Sequence, residues 1–394
     1  EPLGVEEVSL TEAVGRVLAS DIFAPVDVPP FDRAAMDGYA VRAEDTAGAS
    51  PLNPVVLRVI GEVETGSTFE GSIGPGEAVQ VGTGAPMPKG ADALVMFEYT
   101  KPIGEKLIEV YRHVIPGENV SKRGEDVKAG TKVLPKGLIL KPHHIALLAA
   151  LGLGKVKVLR KPRVALATIG MELTEPGVEV KPGKIFDANR YFLISAVKSL
   201  GCQPLDLGIV PDNSEEIKSR VLIGVKEADL TIICGGTSVG AGDKTLEALR
   251  SIRDFKLIFH GVSLRPGKPV AAATLAGKPV ILLPGYPVSA MICFRLFAEP
   301  LIGRMLGISL PESLDFKVRG KLARRIASAP GFLDVVRVKV SRVNGETLVE
   351  PIRVTGSGVI SSMVEADGLL FVPEDREGFE AGEEVEVILL KGGV

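Results

Sequence analysis

The sequence predicts a multidomain α/β and β protein built around a three-layer α/β/α domain with a mixed, mostly parallel sheet. Its length of 394 residues and its 45% hydrophobic content are enough for several globular cores. From Arg163 onward, apolar strand-like runs alternate with helical segments, a rhythm typical of a sheet covered on both faces. Short β-rich runs precede this region and strands alone follow it, which indicates separate domains on either side.

The N-terminal part predicts a helical domain with a β-rich insertion. A capping box, Ser9-Leu10-Thr11-Glu12, starts a short helix that should continue toward Ala19. A second helix is predicted from Lys141 to Leu151, and we expect the two to pack together. Gly and Pro interrupt the β-rich runs between them, such as Val55 to Val63. The predicted boundaries are therefore 1–40 plus 128–160 for a helical linker domain and 41–127 for the insertion.

The α/β domain is predicted at 161–310 and a small β-barrel domain at 311–394. The expected strands of the α/β domain are 163–168, 204–210, 229–234 and 257–262, and its expected helices are 189–200, 214–227 and 244–251. A β-hairpin around Gly277 and a long helix from Pro287 to Leu306 should close it. The final region has no helical period, and its predicted strands are 334–343, 346–354 and 384–390.

Composition excludes several classes of protein. The net charge of -3, without any Lys/Arg tract, argues against nucleic-acid binding. The longest apolar stretch, Ile145 to Leu153, is too short to cross a bilayer. The three cysteines (Cys202, Cys234 and Cys293) are far apart, which predicts buried thiols rather than disulfides or a zinc site. We therefore expect a cytoplasmic protein with neither a membrane nor a nucleic-acid partner.

Polar residues collect where the predicted parallel strands end, the usual ligand site of such a sheet. Glu172, Asp212 and Asp243 follow three of these strands and could hold Mg²⁺ against phosphate oxygens. Glycine-rich turns at the same edge would let backbone N–H groups approach an anion. The residues that we expect to bind substrate there are Gly235, Gly236, Ser238, Gly240, Pro284, Gly285 and Ser289. The alternative is that Asp212 and Asp243 only cap the helices that follow them.

Two familiar catalytic patterns fail at this edge. Gly236 to Gly240 has the spacing of a nucleophile elbow, but a hydrolase also needs an acid and then a His downstream. The only downstream His, His260, falls in the next strand, so the triad is rejected. The run from Gly261 to Lys268 is one residue too long for a P-loop, and Pro269 replaces the hydroxyl that binds Mg²⁺. Nucleotide binding of the Walker type is therefore excluded.

Three further segments are candidates for chemistry. Arg265-Pro266-Gly267-Lys268-Pro269 holds two cations beside two prolines and suits an oxyanion, although a solvated basic turn is the alternative. The turn around Thr83 presents its hydroxyl, and a loop carries Lys122, Arg123 and Asp126. Asp37, before Gly38, is interpreted as a presented carboxylate; an ordinary hairpin turn would explain it equally well.

Together these motifs resemble one family. The segments of this chain that carry the resemblance are, in order, Pro-Pro-Phe-Asp, Ala-Met-Asp-Gly-Tyr-Ala-Val, Gly-Thr-Gly-Ala-Pro-Met-Pro, Arg-Gly-Glu-Asp, Gly-Lys-Ile-Phe-Asp-Ala-Asn-Arg (183–190), Gly-Gly-Thr-Ser-Val-Gly, Arg-Pro-Gly-Lys-Pro and Leu-Pro-Gly-Tyr-Pro-Val-Ser. The family is that of the MoeA-type molybdopterin molybdenumtransferases, to which the gephyrin E domain belongs. The similarity continues through Thr355-Gly356-Ser357-Gly358 and so covers essentially the whole chain.

The resemblance implies an activity, partners and residue roles. The activity is Mg²⁺-dependent insertion of molybdate or tungstate into adenylylated molybdopterin, with release of AMP. It implies a homodimer whose active site lies at the subunit interface, and the molybdopterin adenylyltransferase as a further candidate partner. The implied catalytic residues are Asp37, Thr83 and Asp126 from the partner subunit, and Glu172, Asp212 and Asp243, which would hold Mg²⁺. The implied oxyanion ligands are Arg265, Lys268, Ser289, Arg337 and Ser357. Pro269 is a further implied substrate-binding residue, and Lys122 and Arg123 would bind phosphate.

This chain departs from the family pattern at three positions, and two other functions stay open. Met171 replaces one carboxylate beside Glu172, Tyr286 replaces an Asn, and Ser121 occupies a position where basic residues are frequent. A scaffold role is disfavoured because the chain lacks the added linker and partner domain of such proteins. An adenylyltransferase that prepares the pterin is disfavoured because it shares the α/β domain alone, which leaves a hydrolase of nucleotide derivatives as the other alternative. Molybdate and tungstate share their charge and nearly share their size, so both remain candidates.

Overall fold

A computed structural model describes residues 3–64, 66–236, 244–308, 316–353 and 356–390. The chain divides into two compact units, one formed by residues 7–158 and the other by residues 1–6 and 159–394. Within the described ranges, every helix falls short of the length and apolarity that a membrane crossing needs.

The unit of residues 7–158 contains a six-stranded sheet. Its strands are β2 (Gly38–Val41), β3 (Val55–Val63), β4 (Glu77–Val81), β5 (Ala93–Met96), β6 (Thr100–Ile103) and β7 (Leu107–Val110), in the spatial order β5-β2-β4-β3-β7-β6. Successive side chains of these strands point to opposite faces of the sheet, and each face has a buried cluster: Val41 and Leu57 belong to one, and Ala40 and Val79 to the other. The β-rich character expected of this region is confirmed.

Two helices of the same unit share a second core. After β1 (Val5–Ser9), helix α1 spans Leu10–Ala13, and α2 spans Pro142–Ala150 between β8 (Lys132–Leu134) and β9 (Lys155–Leu159). Ala13 and Leu148 belong to one buried cluster, so the expected packing of the helices is confirmed. The predicted extension of α1 toward Ala19 is wrong. Gly15 adopts a φ of 76°, a left-handed conformation that ends the helix.

The second unit opens with the α/β domain. Its strands are β10 (Arg163–Ile169), β11 (Gln203–Val210), β12 (Leu230–Cys234), β13 (Phe255–His260), β14 (Ala271–Leu275) and β15 (Lys278–Leu283), in the order β11-β10-β12-β15-β14-β13. The first three neighbouring pairs are parallel and the last two are antiparallel. The helices are α3 (Ala188–Ser199), α4 (Ser214–Glu227), α5 (Lys244–Arg250), α6 (Pro287–Cys293) and α7 (Glu299–Leu306). A π-helical turn, Phe294–Ala298, joins α6 to α7.

The expected mixed, mostly parallel sheet is confirmed, with one shift. The strand expected at 257–262 lies at Phe255–His260, because the chain turns at Gly261, whose φ is 81°. Val164 to Ile169 are all buried, as are Leu230 to Cys234. Strands that are buried along their whole length read as continuous apolar runs, which is why they could be found in the sequence.

The C-terminal domain is a closed five-stranded β-barrel. Its elements are β16 (Lys317–Leu322), β17 (Leu333–Val343), β18 (Glu346–Arg353), α8 (Ser361–Glu365), β19 (Gly368–Val372) and β20 (Glu384–Leu389). The strands pair in the order β17-β18-β16-β20-β19, and β17 pairs again with β19, which closes the barrel. Its interior is apolar, with Val336, Val349 and Val387 fully buried. The expected barrel is confirmed; α8 was not predicted.

Candidate active site

A cavity of about 480 Å³ lies at the carboxyl ends of β10, β11, β12 and β15. This edge is where ligands bind in parallel sheets, because neighbouring strand ends and helix starts diverge there. The cavity has a glycine-rich and acidic part and an apolar part. Its lining residues are Ile169, Glu172, Leu173, Ile185, Phe186, Asp187, Ala188, Asn189, Asp212, Cys234, Gly235, Gly236, Gly285, Tyr286 and Pro287.

Asp212 is presented to this cavity rather than used as a helix cap. The cap of α4 is Asn213, whose side chain accepts hydrogen bonds from the N–H groups of Glu215 (2.9 Å) and Glu216 (3.3 Å). Asp212 Oδ2 accepts a hydrogen bond from Lys244 Nζ at 3.0 Å. Its Oδ1 is buried and has no hydrogen-bond partner among the described residues. A buried carboxylate oxygen without a partner fits a bound cation or a ligand donor.

Glu172 lines the same cavity on an exposed segment after β10. Its carboxylate folds back over Gly170, where an added Cβ would lie 2.7 Å from Glu172 Oε2. In the described parts of the chain, no three His, Cys, Asp or Glu side chains lie close enough to hold a metal ion. Asp243, the third expected carboxylate, lies outside the described residues, as do Ser238 and Gly240.

The glycines after β12 are required by close packing. Gly235 and Gly236 adopt φ values of 98° and 67°. A Cβ on Gly235 would lie 2.4 Å from the carbonyl oxygen of Ile169, and one on Gly236 would lie 2.2 Å from Thr245 Oγ1. Only glycine avoids both the strained φ and the collision. These glycines are therefore needed for packing, and their predicted role in binding substrate stays a prediction.

Sequence reasoning missed two cavity residues at the start of α3. Asp187, 1% exposed, accepts hydrogen bonds from Thr168 Oγ1 and from the Arg190 N–H at the helix N-terminus. Asn189 donates from Nδ2 to the Gly285 carbonyl at 2.7 Å, while its buried Oδ1 has no partner among the described residues. Both belong to the motif 183–190. The signal that could have revealed them is an Asp in a helix-capping position, followed two residues later by an Asn.

Arg190, in the first turn of α3, fixes this end of the helix through ion pairs. Its guanidinium donates to Asp206 at 2.8 and 3.0 Å and also contacts Asp187 and Glu175. Burial alone would lower the pKa of Arg190, but the hydrogen bonds and charges of these carboxylates raise it above its ordinary value. The network keeps the start of α3, and so Asn189, in place against the cavity.

A second cavity of about 410 Å³ lies between the α/β domain and the barrel, in the same unit. It is lined by Arg265, Pro266, Ala327, Ser328, Ala329, Asp334, Arg337, Gly356 and Ser357. The short strand Leu264–Arg265 pairs in parallel with Leu333–Asp334, so backbone pairing ties the basic turn to the barrel. Arg337 is fully buried and donates from Nε to Ser362 Oγ at 3.3 Å. Two guanidinium groups in one cavity suit an oxyanion.

Four other residues predicted to bind substrate do not line this cavity. Lys268 is exposed and Pro269 is half-buried. Ser289, 4% exposed, lies in the first turn of α6, and Pro284 is buried. Gly267 packs against Cys293, whose Sγ would lie 2.6 Å from an added Cβ.

Among the described residues, the acidic edge lines the first cavity and the start of the basic turn, Arg265 and Pro266, lines the second. The start of α6 borders the first cavity and is hydrogen-bonded to a residue that lines the second. Tyr286 lines the first cavity and its ring packs 3.5 Å from the Cβ position of Gly358. The N–H of Val288 donates to the carbonyl of Ser357, which lines the second, at 2.9 Å. The barrel segment 356–358 therefore packs against the start of α6, which lines the first cavity.

Residues 7–158 hold a third set of predicted residues. Asp37 Oδ1 accepts hydrogen bonds from the Thr83 N–H at 2.6 Å and from its hydroxyl at 2.8 Å. These two bonds, the backbone one first, hold the pKa of the Asp37 carboxyl below its usual range. Asp37 is thus an anion at neutral pH. The hairpin interpretation is wrong for Gly38, which begins β2 and lies so close to Val95 that an added Cβ would meet its carbonyl oxygen at 2.1 Å.

The charged loop of the same unit is held by its own ion pairs. Lys122 Nζ contacts Asp32 at 2.9 Å, and Arg123 pairs with Asp27. Both cations stay more than half exposed, with side-chain exposures of 53% and 66%. Asp126 is exposed, and its backbone N–H donates to the Val28 carbonyl at 3.1 Å.

Three family models match the chain in succession. They describe the MoeA N-terminal region (domain I and II) at residues 2–152, a probable molybdopterin binding domain at 165–304, and the MoeA C-terminal region (domain IV) at 319–390. A Methanocaldococcus jannaschii protein whose name places it in molybdopterin biosynthesis is 42% identical over 98% of this chain and 92% of its own length. The Bacillus subtilis molybdopterin molybdenumtransferase is 34% identical over 98% and 90%.

A solved structure agrees over the same length. The crystal structure of a MoeA molybdopterin biosynthesis protein from Pyrococcus horikoshii matches with a TM-score of 0.86 and 40% identity, covering 100% of this chain and 96% of that one. The chain therefore belongs to the MoeA family. Relatives at 33–35% identity are named molybdopterin molybdenumtransferases, and the chain is an enzyme of that class, a transferase of molybdenum cofactor biosynthesis. The resemblance that the motifs indicated is confirmed.

Proposed function

We propose that this enzyme inserts molybdate or tungstate into adenylylated molybdopterin in a Mg²⁺-dependent reaction that releases AMP. The observation that carries the proposal is the pair of cavities connected through one helix start, where Tyr286 lines the first and Val288 donates to Ser357 of the second. One has glycines and carboxylates suited to a pyrophosphate with its cation, and the other has two guanidinium groups suited to a tetrahedral oxyanion.

The first cavity would hold the pyrophosphate. The Gly235 N–H already donates to the Leu283 carbonyl at 3.0 Å, so the Gly236 N–H would be the group that approaches the pyrophosphate oxygens, with no side chain in between. The apolar side chains of Ile185 and Phe186 are 57% and 47% exposed, and Tyr286 is 66% exposed. They would cover a flat ring system of the ligand.

Mg²⁺ fits the donor set of this cavity. Carboxylate oxygens are its preferred protein ligands, and Asp212 Oδ1 is buried without a partner among the described residues. Glu172, Asp212 and Asp243 would hold the ion, which when bound supplies positive charge against the pyrophosphate. Lys244, which donates to Asp212 Oδ2, would keep that carboxylate oriented.

The second cavity would bind the oxyanion substrate. Arg265 and Arg337 would neutralise it, and Ser357, with Ser289 and Lys268 nearby, would donate hydrogen bonds. The two dithiolene thiols of the pterin would then displace one oxygen of the oxyanion as water and ligate its metal, and a water molecule would attack the pyrophosphate so that AMP leaves. No cysteine or histidine ligand from the protein is needed for that step.

The proposal extends to a homodimer in which Asp37, Thr83 and Asp126 of one subunit complete the active site of the other, with Lys122 and Arg123 binding phosphate. The bonded Asp37–Thr83 pair supports a fixed anionic group in that role. We further propose that the enzyme works in the cytoplasm and receives its substrate from the molybdopterin adenylyltransferase.

AMP release tests the reaction. Purified enzyme is incubated with adenylylated molybdopterin and Mg²⁺, with and without molybdate, and AMP is measured by chromatography. We expect molybdate-stimulated AMP release that Asp212→Asn lowers at least about 100-fold, whereas the control Glu215→Gln, a surface carboxylate on α4, keeps wild-type activity. Equal AMP release with and without molybdate would instead favour a hydrolase. The absence of any AMP release would remove the transferase proposal.

Mixing two inactive variants tests the shared site. Asp37→Asn and Asp212→Asn subunits are unfolded together, refolded and assayed. If each site combines residues of two subunits, random reassociation should restore about a quarter of wild-type activity, because half of the dimers carry one intact site. Mixtures that remain inactive would contradict the intersubunit arrangement without affecting the reaction itself.

A further inference from the structure

The guanidinium of Arg265 in the second cavity is held on one side by a carboxylate and on its face by an aromatic ring. It donates from Nε to Asp334 Oδ1 and from Nη2 to Asp334 Oδ2, both at 2.7 Å. Its guanidinium carbon lies 4.6 Å from the centre of the Phe332 ring. Ser328 Oγ donates to Asp334 Oδ2 at 2.6 Å. Carboxylate, hydroxyl and ring together fix the position and the plane of the guanidinium.

The Asp334 carboxylate is an unexpected feature of a cavity proposed for an anion. Its side chain is only 8% exposed, so its charge is poorly screened by water. Asp334 uses the side edge of the guanidinium, formed by Nε and Nη2. Among the residues that the structure describes, no hydrogen bond reaches the end edge, formed by Nη1 and the second Nη2 hydrogen, which is therefore a fork of two parallel donors.

We propose that Asp334, supported by Ser328, is a positioning residue that holds Arg265 so that this end edge is ready for a tetrahedral oxyanion. The inference rests on the proposed function of the second cavity. Asp334 acts through Arg265 and need not touch the oxyanion. Preorganisation of the guanidinium lowers the ordering cost of binding, which offsets the repulsion between Asp334 and the anion.

The alternative makes the opposite prediction. If Asp334 acted only as a nearby negative charge, its removal would strengthen the binding of a dianion. If it positions Arg265, its removal weakens that binding, because the freed guanidinium can leave the productive orientation. The sign of the change in the dissociation constant therefore distinguishes the two.

Equilibrium dialysis of full-length enzyme against molybdate, with molybdenum measured by mass spectrometry, gives this sign. We expect Asp334→Asn to raise the dissociation constant about tenfold and Ser328→Ala about threefold, since each loses hydrogen bonds of ordinary strength. The KM for molybdate should rise in parallel, while kcat at saturating molybdate changes less than about twofold. The matched control Glu386→Gln removes a carboxylate from the same barrel, where it pairs with Lys317 and Arg319, and should leave both constants unchanged.

A double-mutant cycle shows whether Asp334 acts through Arg265. Lysine cannot make the bidentate bond, so Asp334→Asn in an Arg265→Lys background should change the molybdate dissociation constant less than about twofold. An equal effect in both backgrounds, or tighter binding by Asp334→Asn, would overturn the inference. If Asp334→Asn does not fold, Ser328→Ala, which loses only a hydroxyl, tests the inference instead. A Ser328→Ala variant that binds molybdate as tightly as the wild-type enzyme would then overturn the inference. Wild-type enzyme that binds no molybdate would instead remove the proposed function of the cavity.

Discussion

Single residues decide what each site can do, and the Asp37–Thr83 pair illustrates this. Thr83 donates twice to Oδ1 of Asp37, which keeps the carboxylate ionised and fixed, and no described side chain donates to its Oδ2. The sequence indicated both residues, because a hydroxyl and a carboxylate stood in irregular, glycine-rich segments. It could not show that they bond to each other across 46 residues.

Thr83→Val tests this pair. The variant loses the hydroxyl donor but keeps the backbone N–H, so the pKa of Asp37 should rise toward its ordinary value without reaching it. We expect about tenfold lower molybdate-dependent AMP release, with any acid limb of the pH profile moved to higher pH. Thr83→Ser, which keeps the hydroxyl, should retain wild-type activity. Equal activity of the Val and Ser variants would contradict a role for the hydroxyl.

Other site residues were beyond sequence reasoning for a physical reason. Asp187 and Asn189 are almost fully buried, and their polar atoms serve helix capping, Gly285 and the cavity at once. A sequence shows the capping pattern but not which side of the helix start faces a cavity. Asp212 could equally have been a cap, and only the bonds of Asn213 exclude that.

At the scale of elements, the site depends on the ends of β10 and β12 lying very close together. Apolar runs and their turn residues were enough to predict these strands. The separation of the acidic edge from the basic turn was not predictable, because it depends on barrel residues 356–358 docking against α6. Contacts between segments that are distant in sequence leave no local pattern.

Gly235→Ala should be strongly destabilising. Its Cβ would meet the Ile169 carbonyl oxygen at 2.4 Å, at a φ of 98° that alanine rarely adopts. We expect a loss of at least about 2 kcal/mol in the free energy of unfolding, measured in urea. Gly285→Ala is the matched control, since its nearest contact would be an ordinary 3.5 Å, and it should cost less than about 0.5 kcal/mol. Equal stability of the two variants would contradict the steric account.

Asp229 links the start of β10 to the residues before β12. It accepts hydrogen bonds from Arg160 at 2.9 and 3.0 Å and from the Arg163 N–H at 2.8 Å. Burial disfavours its ionised form, but the Arg160 bonds and the Arg163 N–H outweigh this and lower the pKa of the carboxyl. A lowered pKa means that the stabilisation is present above the unfolded pKa of about 3.9 and is lost as the pH falls through the folded pKa.

Asp229→Asn should therefore lower the free energy of unfolding by about 2 kcal/mol at neutral pH. The difference from wild type should shrink as the pH drops below about 4. Urea unfolding at several pH values measures it. Glu215→Gln, whose carboxylate is 82% exposed beside Lys218, should change stability by less than about 0.5 kcal/mol at every pH. A pH-independent difference for Asp229→Asn would show that ionisation is not involved.

The whole molecule keeps all three of its cysteines buried, as their spacing and apolar neighbours predicted. Burial raises the pKa of Cys202 and of Cys293 to about 12, and raises that of Cys234 as well. At pH 8 almost no thiolate is present in the folded protein. A colorimetric disulfide reagent should therefore titrate none of the thiols in native enzyme and three in guanidinium chloride. Rapid reaction of any thiol in the native protein would contradict this burial.

The account of the whole enzyme depends on the second cavity being the oxyanion site and the first the pyrophosphate site. Crystals soaked in tungstate, with an anomalous difference map collected at the tungsten edge, test this most directly. We predict one strong peak between Arg265, Arg337 and Ser357. A peak in the cavity of Asp212 and Gly235, with none beside Arg265, would contradict the assignment of the two cavities.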